Sequence, residues 1–507
     1  MASIASSLRA LAIAGVRVGW ASSPAEAFHW SGANLRKRSV SPAVVVYATT
    51  IFFVTLSFLM AYSSRMLADG ATYWELAVGE QILRDQSFPV VDQYSHTQAG
   101  APWIAKEWLS QVLFYFAYAR AGWFGVSLLT ATVAASAYSI LFAWLCRRLK
   151  PVVALVMTVV AFSLGLGSLL ARPEIFFYLL LALCVCGLVD AVERKKAPWW
   201  LAPLVALWAN LHASFPIALV LAGLFGLEAL ASAPPGERFW TGAKWALALL
   251  AALAATGATP YGYQPLLVFF NIVGSKELAY IDEWRPVPFD LSGVYGVAFI
   301  AGSLAIVAAA RAGWTRAAPI ALCGALMIMH VRFFPLFAIV AAAAVASPLA
   351  RRFPRFAQRP LPPGKATGLA AAAMLAAASL TAVSVLLLGA RPIPSPRMTP
   401  SAALAAALEQ PVSGPVFNDY YFGGFLIFNG IKTFIDSRSE LFFKGLMQKV
   451  WAAELGKSDS AFLSLLDEYH VTWALLTNPS NGTEKLRRSN QWREIFSDQN
   501  AIVFVRK

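Results

Sequence analysis

Eleven apolar segments dominate the sequence, and most are close to the roughly 20 residues that an α-helix needs to cross a membrane. The chain is 58% hydrophobic and 13% charged, whereas soluble domains carry about 25% charged residues. The segments are 43–63, 123–146, 151–170, 174–192, 200–211, 214–232, 241–259, 293–311, 316–330, 333–349 and 367–389. The pattern predicts an α-helical polytopic membrane protein with about 11 transmembrane helices. Segments 200–211 and 316–330 are short, and reading them as half-helices would change the count by two.

The net charge of +14 comes from 41 basic and 27 acidic side chains. The basic residues cluster in short loops, at 36–38, 147–150, 194–196, 311–316 and 351–355. This is the positive-inside pattern of membrane proteins, so nucleic-acid binding is not indicated. If all these loops are cytosolic, residues 1–40 form a cytosolic N-terminal tail and the C-terminal region lies outside.

A long polar loop follows the first apolar segment and spans residues 64–122 within a membrane domain at 41–390. Asp69 lies within a few residues of the end of that segment. A carboxylate there can act as a general base or bind a divalent cation, and Glu75 is a second candidate. The alternative is that Asp69 is a solvated carboxylate or caps the helix that begins near Thr72.

Two arginines lie at helix ends on the same predicted outer side, Arg172 before Glu174 and Arg332 after His330. Arginine binds phosphate oxygens in a bidentate manner, so both are candidate ligands of a phosphate or pyrophosphate. The alternative is that they snorkel to the membrane interface. No spacing of histidines resembles a metal motif.

Acidic and aromatic side chains suited to sugar binding recur in the outer loops. An interfacial aromatic belt would explain the aromatic residues but not the carboxylates between them. A satisfied structural role is the alternative for the imidazole at 212. The predicted substrate-binding residues are Trp74, Asp92, His96, Glu107, His212, Glu283 and Trp284.

The composition changes near Arg391, where several prolines mark a linker. Short apolar runs then alternate with polar residues and a helix-like stretch from Leu441 to Tyr469. Strands that alternate with a helix predict a small α/β soluble domain at 391–507.

Motifs in this order resemble those of the bacterial membrane glycosyltransferases of the C superfamily, which use polyprenyl-phosphate-linked sugars. The matching positions are Asp69, Tyr73-Trp74-Glu75-Leu76-Ala77, Gly79-Glu80, Pro89, Asp92-Gln93-Tyr94-Ser95, Trp103, Glu107-Trp108, Arg172-Pro173, Asn210-Leu211-His212, Glu283-Trp284, Asn418, Gly423-Gly424 and Phe434-Ile435-Asp436-Ser437-Arg438. The resemblance covers most of the chain. It implies a glycosyltransferase-C fold with an outer C-terminal domain.

The resemblance also implies a role for the first outer loop, whose acidic residue is the usual catalytic base or metal ligand of this superfamily. Asp69 matches that position. Relatives often have a second acidic residue next to it, whereas this chain has Gly70. A divalent cation such as Mg²⁺ or Mn²⁺ therefore stays open as a cofactor.

The implied activity is transfer of a hexose or pentose from a polyprenyl-phosphate donor to a glycan, lipid or protein acceptor. Asp69 would deprotonate the acceptor, and Arg172 or Arg332 would stabilise the leaving phosphate. The expected location is the bacterial inner membrane, with transfer on the periplasmic face. A transporter or flippase for a lipid-linked sugar, and a non-catalytic envelope assembly factor, are the alternatives.

Overall fold

The structure is a computed structural model. It describes residues 42–288, 293–310, 314–358, 375–376, 378–379, 381–383, 392–410, 412–443 and 445–507. The predicted cytosolic tail at 1–40 and most of the predicted apolar segment at 367–389 lie outside the described residues.

Ten of the predicted apolar segments correspond to helices of the structure. The helices up to residue 352 are α1 (Pro42–Ala61), α2 (Ser63–Met66), α3 (Ala71–Asp85), α4 (Trp108–Cys146), α5 (Pro151–Gly165), α6 (Glu174–Glu193), α7 (Leu201–Leu211), α8 (Pro216–Ser232), α9 (Arg238–Ala255), α10 (Gln264–Val273), α11 (Gly293–Ala310), α12 (Trp314–Met329) and α13 (Phe334–Arg352). The chain is a multi-pass α-helical membrane protein. Within the described ranges, length and composition qualify five stretches as membrane spans, and these are Pro42–Ala61, Trp108–Cys146, Pro151–Ser168, Glu174–Glu193 and Val331–Arg352. The expected total of about 11 stays a prediction.

Helix α4 is two helices joined at a break. Ala121 and Gly122 have non-helical backbone angles, and φ of Gly122 is 57°. That left-handed conformation is accessible to glycine without the clash that a Cβ would cause. The break separates Trp108–Arg120 from the long apolar stretch that follows.

Charged residues at one end of the bundle show how the helices alternate. Arg148, just after α4, donates to Asp190 at 2.5 Å and to Glu193 at 2.7 Å, near the end of α6. Arg316, near the start of α12, donates to Glu228 near the end of α8 at 2.7 Å. The ends of α4, α6 and α8 therefore meet the start of α12, as alternating helix directions require. We call this the Arg148 end.

The C-terminal region contains the small α/β sheet that the sequence predicts. Its elements are α14 (Ser401–Leu408), β1 (Val416–Asn418), α15 (Gly423–Phe428), α16 (Ser439–Phe442), α17 (Leu446–Leu455), α18 (Asp459–Glu468), β2 (Trp473–Thr477), α19 (Asn481–Arg488), β3 (Trp492–Ser497) and β4 (Ala501–Arg506). The strand order is β1-β2-β4-β3. Strands β1 and β2 are parallel, and the other two pairs are antiparallel. The central strands β2 and β4 are mostly buried, which explains their nearly continuous apolar sequence.

The outer loop and the C-terminal region share one hydrophobic core. Trp74 and Val78 of α3 and Trp103 of the loop belong to the same buried cluster as Phe417 and Phe434. Each of these side chains removes apolar surface of the other segment from water, which stabilises their contact. The composition changes near residue 391, where a domain boundary was expected. The hydrophobic core nevertheless contains residues from both sides of this position.

Candidate active site

An arginine and three carboxylates from three distant parts of the sequence form a cluster at the end of the bundle opposite the Arg148 end. Arg172, between α5 and α6, donates to Asp69 Oδ2 at 2.9 Å, Glu174 Oε2 at 2.6 Å and Glu283 Oε1 at 2.5 Å. Asp69 precedes α3, and Glu283 follows α10. We call these four residues the Arg172 cluster. Three of the four were predicted as site residues, and the structure brings them into direct contact.

The two terminal nitrogens of Arg172 donate to carboxylates, while its buried Nε has no hydrogen-bond partner among the described residues. Burial lowers the pKa of Arg172, but the nearby charges of Glu283, Glu174 and Asp69 outweigh it and hold the pKa well above its ordinary value. The group therefore stays charged while it is largely withdrawn from water. The hydrogen bonds to three carboxylates reduce the capacity of Arg172 to bind a phosphate.

Both carboxylate oxygens of Asp69 are held in place. Oδ1 accepts a hydrogen bond from the backbone N–H of Ala71, the first residue of α3, at 2.8 Å. Oδ2 accepts from Arg172, and the side chain remains 17% exposed. The helix-capping interaction that the sequence analysis considered is thus present together with the ion pair. Each carboxylate oxygen has two lone pairs, so the group can still accept a proton.

Arg332 brings a second cation to the same place. Its guanidinium lies 3.8 Å from Glu174 Oε1 and 4.5 Å from the centre of the Trp284 ring. His330 Nδ1 donates a hydrogen bond to the backbone carbonyl of Trp284 at 2.6 Å. Arg332 is 22% exposed and makes a longer ion pair than Arg172. The described contacts therefore leave Arg332 more available than Arg172 to an anionic ligand.

A buried acidic network lies beside the Arg172 cluster. Glu75 accepts from Gln111 Nε2 at 2.7 Å. Burial, and then the charge of Glu107, raise the pKa of Glu75 well above its usual range. Glu107 Oε1 lies 3.5 Å from His212 Nε2 and accepts from the backbone of Ala213 at 3.1 Å. Two carboxyl groups at close range in a dry environment favour a neutral, protonated Glu75.

His212 links this network to the Arg172 cluster. Its Nδ1 lies 2.7 Å from Ser214 Oγ. Burial lowers its pKa, Glu107 and Glu174 raise it, and Arg332 lowers it. The net effect is a lowered pKa, so the imidazole is neutral at physiological pH. His212 therefore lies within electrostatic range of both acidic groups, and it has the satisfied partners that the structural alternative predicted.

Asp92 lies in a fully buried ion pair rather than at an accessible surface. Arg438 donates to Asp92 Oδ1 at 2.5 Å and, through two nitrogens, to Asp436 at 2.8 and 2.7 Å. All three side chains are 0% exposed. The prediction that Asp92 binds substrate has no support from these contacts, because its carboxylate is enclosed between the loop and the C-terminal region.

His96 and Trp74 also join the loop to the C-terminal region. His96 Nε2 lies 2.9 Å from the carbonyl of Val416 in β1. Trp74 Nε1 donates to Ser437 Oγ at 2.9 Å. Both side chains therefore connect the outer loop to residues 416–437, and neither contacts the Arg172 cluster through these hydrogen bonds.

A partly buried ion pair between Lys106 and Glu440 was not predicted from the sequence. Lys106 Nζ lies 2.5 Å from Glu440 Oε1, and the two side chains are 12% and 17% exposed. Burial lowers the pKa of Lys106, but Glu440 and Glu107 raise it above its ordinary value. The signal in the sequence was a lysine beside Glu107 inside an acidic and aromatic loop, yet its partner lies 334 positions away.

The structure explains why position 70 is a glycine. A Cβ at Gly70 would lie 2.2 Å from the carbonyl oxygen of Tyr421, and a Cβ at Gly424 would lie 2.0 Å from the carbonyl oxygen of Gly70. Neither distance is compatible with a side chain, because the obstacles are backbone atoms. The C-terminal region therefore occupies the space that a second carboxylate would need.

The carboxylates of the Arg172 cluster surround the guanidinium of an arginine. In the part of the chain that the structure describes, no three His, Cys, Asp or Glu side chains are placed to hold a metal ion. These carboxylates face Arg172 instead.

Comparisons with known proteins identify the fold. No family model matches the sequence, and no curated protein matches it. The archaeal oligosaccharyltransferase AglB from Archaeoglobus fulgidus, in complex with an inhibitory peptide and a dolichol-phosphate, is similar in structure, with a TM-score of 0.52 and 11% sequence identity. The match covers 86% of this chain and 69% of that chain.

Two further solved structures were found. The Archaeoglobus fulgidus oligosaccharyltransferase in its apo form has a TM-score of 0.53 and 12% identity, over 87% of this chain and 70% of that chain. ArnT from Cupriavidus metallidurans, bound to undecaprenyl phosphate, has a TM-score of only 0.34 and 10% identity, over 91% of this chain and 97% of that chain. Identities this low show the fold alone. The chain shares the fold of these oligosaccharyltransferase structures, in line with the membrane glycosyltransferase fold that its sequence motifs predicted.

Proposed function

We propose that this protein is a membrane glycosyltransferase that moves a sugar from a polyprenyl-phosphate donor to an acceptor hydroxyl, with Asp69 as the base. The observation that carries the proposal is the meeting of Asp69, Arg172 and Arg332 at one end of the bundle, beside the ring of Trp284. The similar oligosaccharyltransferase was solved with a dolichol-phosphate, which supports a donor of this chemical class.

Their different contacts support different roles for Arg172 and Arg332. Arg172 holds Asp69, Glu174 and Glu283 in one arrangement and orients the base. Arg332 is the phosphate ligand, because its ion pair with Glu174 is 3.8 Å long and its guanidinium face rests on Trp284. Cation–aromatic stacking keeps a guanidinium in place while its N–H groups remain free to bind oxygen atoms.

In the proposed transfer, groups at the site accept the proton of the acceptor and stabilise the leaving phosphate. The acceptor hydroxyl gives its proton to Asp69 as its oxygen bonds to the anomeric carbon of the sugar. The bond from that carbon to the phosphate oxygen breaks on the opposite side, and the configuration inverts. The electron pair leaves on the polyprenyl phosphate, whose added charge Arg332 stabilises.

The remaining predicted residues have supporting roles in this proposal. Glu75, which the sequence analysis placed among the catalytic residues, is buried against Gln111, so we assign it to positioning. Glu107 and His212 form the wall between Glu75 and the Arg172 cluster. Trp284 is the aromatic surface on which the donor end of the site is built. We place the site on the periplasmic face of a bacterial inner membrane.

The deciding experiment is transfer from labelled polyprenyl-phosphate hexoses and pentoses, tested in turn with the purified protein and an extract of bacterial envelope acceptors. Asp69→Asn should abolish formation of labelled product while the amount of folded protein is preserved. Asp282→Asn is the matched control, because Asp282 lies on the same side of the molecule, is 61% exposed and pairs with Arg285. That control should keep full activity.

Two results would remove the proposal. Full transfer by Asp69→Asn would exclude Asp69 as the base. Absence of transfer by the wild-type protein with every donor, together with translocation of a lipid-linked sugar in proteoliposomes, would favour the transporter alternative.

A further inference from the structure

A groove between α6 and α7 opens at the Arg148 end, far from the Arg172 cluster. Its volume is about 630 Å³. The walls along the helices are apolar and include Leu183, Leu204 and Leu207. Two of these leucines are well exposed, at 39% and 47%. One side of the groove is therefore suited to a hydrocarbon chain.

Trp200 forms part of the floor of the groove. A Cβ at Gly187 would lie 2.5 Å from the Trp200 ring, so the indole rests directly on the helix backbone of α6. Any larger residue at 187 would push the ring into the groove. The absence of a side chain at this position keeps the groove open beneath its polar rim.

The rim of the groove is basic. Arg194 and Lys196 line it, together with Asp190. Asp190 is already neutralised, because it accepts hydrogen bonds from Arg147, Arg148 and Arg194 at 3.3, 2.5 and 3.1 Å. The positive charge at the rim is therefore in excess, and it lies where the apolar walls end.

The turn after α6 carries a lysine where glycine would be less strained. The backbone N–H of Lys196 donates to Ala191 at 2.9 Å and that of Lys195 donates to Val192 at 3.1 Å. This is the Schellman arrangement, in which the residue at position 195 adopts the left-handed conformation that glycine usually fills. Lys195 has φ 52° and an exposed side chain. The chain thus keeps a cation beside the rim at a conformational cost.

We infer that this groove binds an anionic glycerophospholipid of the surrounding membrane. Its phosphate lies against Arg194 and Lys196, with Lys195 adding charge, and one acyl chain lies along Leu204 and Leu207. A basic rim joined to an apolar wall at the end of two membrane helices matches an acidic headgroup joined to a hydrocarbon chain. A soluble anion would use the rim and leave the apolar wall empty. The inference does not depend on the proposed enzymatic activity.

The test compares lipids that differ only in headgroup charge. Phosphatidylglycerol and phosphatidylcholine with identical acyl chains are added to the detergent-solubilised full chain, and binding is measured by native mass spectrometry and by the shift in unfolding temperature. Phosphatidylglycerol should bind and stabilise the wild-type protein more strongly. Equal effects of the two lipids would overturn the inference, and so would equal protection by inorganic phosphate alone.

Variants that remove positive charge from the rim test the proposed phosphate contacts directly. The double variant Lys195→Gly/Lys196→Gln should weaken phosphatidylglycerol binding by roughly thirtyfold, since each basic residue near an anionic surface contributes about fivefold. Lys195→Gly also relieves the strained turn, so the lipid-free protein should remain as stable as the wild type. Lys244→Gln, an exposed cation of α9 outside the groove, is the control and should bind normally. Unchanged affinity in the double variant would refute the role of the rim.

A second variant tests the apolar wall. Leu207→Trp places a larger side chain in the groove, at a position that is exposed and not packed inside the bundle. It should weaken phosphatidylglycerol binding at least severalfold without changing the basic rim. If only the charge variants alter binding, the lipid interacts with the surface charge alone, and the groove is not its site.

Discussion

Replacing Arg438 tests whether the outer loop and the C-terminal region are held together by their buried ion pair. Arg438 neutralises Asp92 at 2.5 Å and Asp436 through two hydrogen bonds, and all three side chains are 0% exposed. Arg438→Met keeps an apolar side chain of similar length but leaves two carboxylates buried without a cation. Removing one partner of a buried ion pair costs about 3–5 kcal/mol, so we expect a loss in this range.

The contacts of the guanidinium with aromatic rings add to the effect. It lies 5.1 Å from the centre of the Tyr94 ring and 5.0 Å from that of Trp103. Such contacts contribute on the order of 1 kcal/mol, and methionine would recover part of this by packing on the same rings. The charge term is therefore the larger one, and it sets the expected size of the loss.

The measurement is denaturant-induced unfolding of the solubilised protein, together with limited proteolysis of the C-terminal region. Arg487→Met is the matched control, because Arg487 is 38% exposed and makes only surface pairs of 3.2 Å with Glu484 and Glu494. Exposed pairs contribute about 0–1 kcal/mol. If Arg438→Met were no more destabilising than Arg487→Met, the argument that this buried pair holds the two segments together would be refuted. Replacing Asp92 and Asp436 by Asn in the same variant should restore much of the stability.

Three further predictions concern other sites. Gly70→Ala should destabilise the protein by roughly 1–3 kcal/mol in thermal unfolding, because its Cβ would meet the carbonyl of Tyr421; an unchanged unfolding temperature would contradict this close contact. Burial, and then the charge of Asp419, raise the pKa of Glu454 from 4.5 to about 7. A raised folded-state pKa contributes stability that is present below about pH 4.5 and is lost as the pH rises to about 7, so Glu454→Gln should stabilise the C-terminal region at pH 8 by on the order of 3 kcal/mol and have little effect at pH 4.5. An equal effect at both pH values in unfolding experiments would exclude the buried, protonated carboxyl. Arg332→Lys should lower the turnover number at least tenfold in the transfer assay, since an ammonium cannot match the bidentate guanidinium; wild-type turnover would exclude Arg332 as the phosphate ligand.

The helical architecture could be predicted because the hydrophobicity of a segment depends only on its own residues. The segment at 174–192 became α6, Glu174–Glu193, since a run of apolar residues has few stable alternatives to a helix in a membrane. The short apolar runs after residue 391 likewise predicted strands, and three of them became the buried strands β1, β2 and β4. The number of membrane spans did not follow as securely, because short helices such as α7, with 11 residues, satisfy the pattern without the length.

The sequence by itself determined the chemical types that the candidate site needs: a carboxylate at Asp69, arginines at helix ends, and acidic and aromatic loops on one side. Only the tertiary structure decided which of these residues meet. Arg172 pairs with Asp69 and Glu283, 103 and 111 positions away, whereas Asp92, equally acidic and in the same loop, is enclosed by Arg438. Charge and polarity are properties of a residue, but burial and pairing depend on segments far apart in the chain. That is why the composition of the candidate site was predictable and its membership was not.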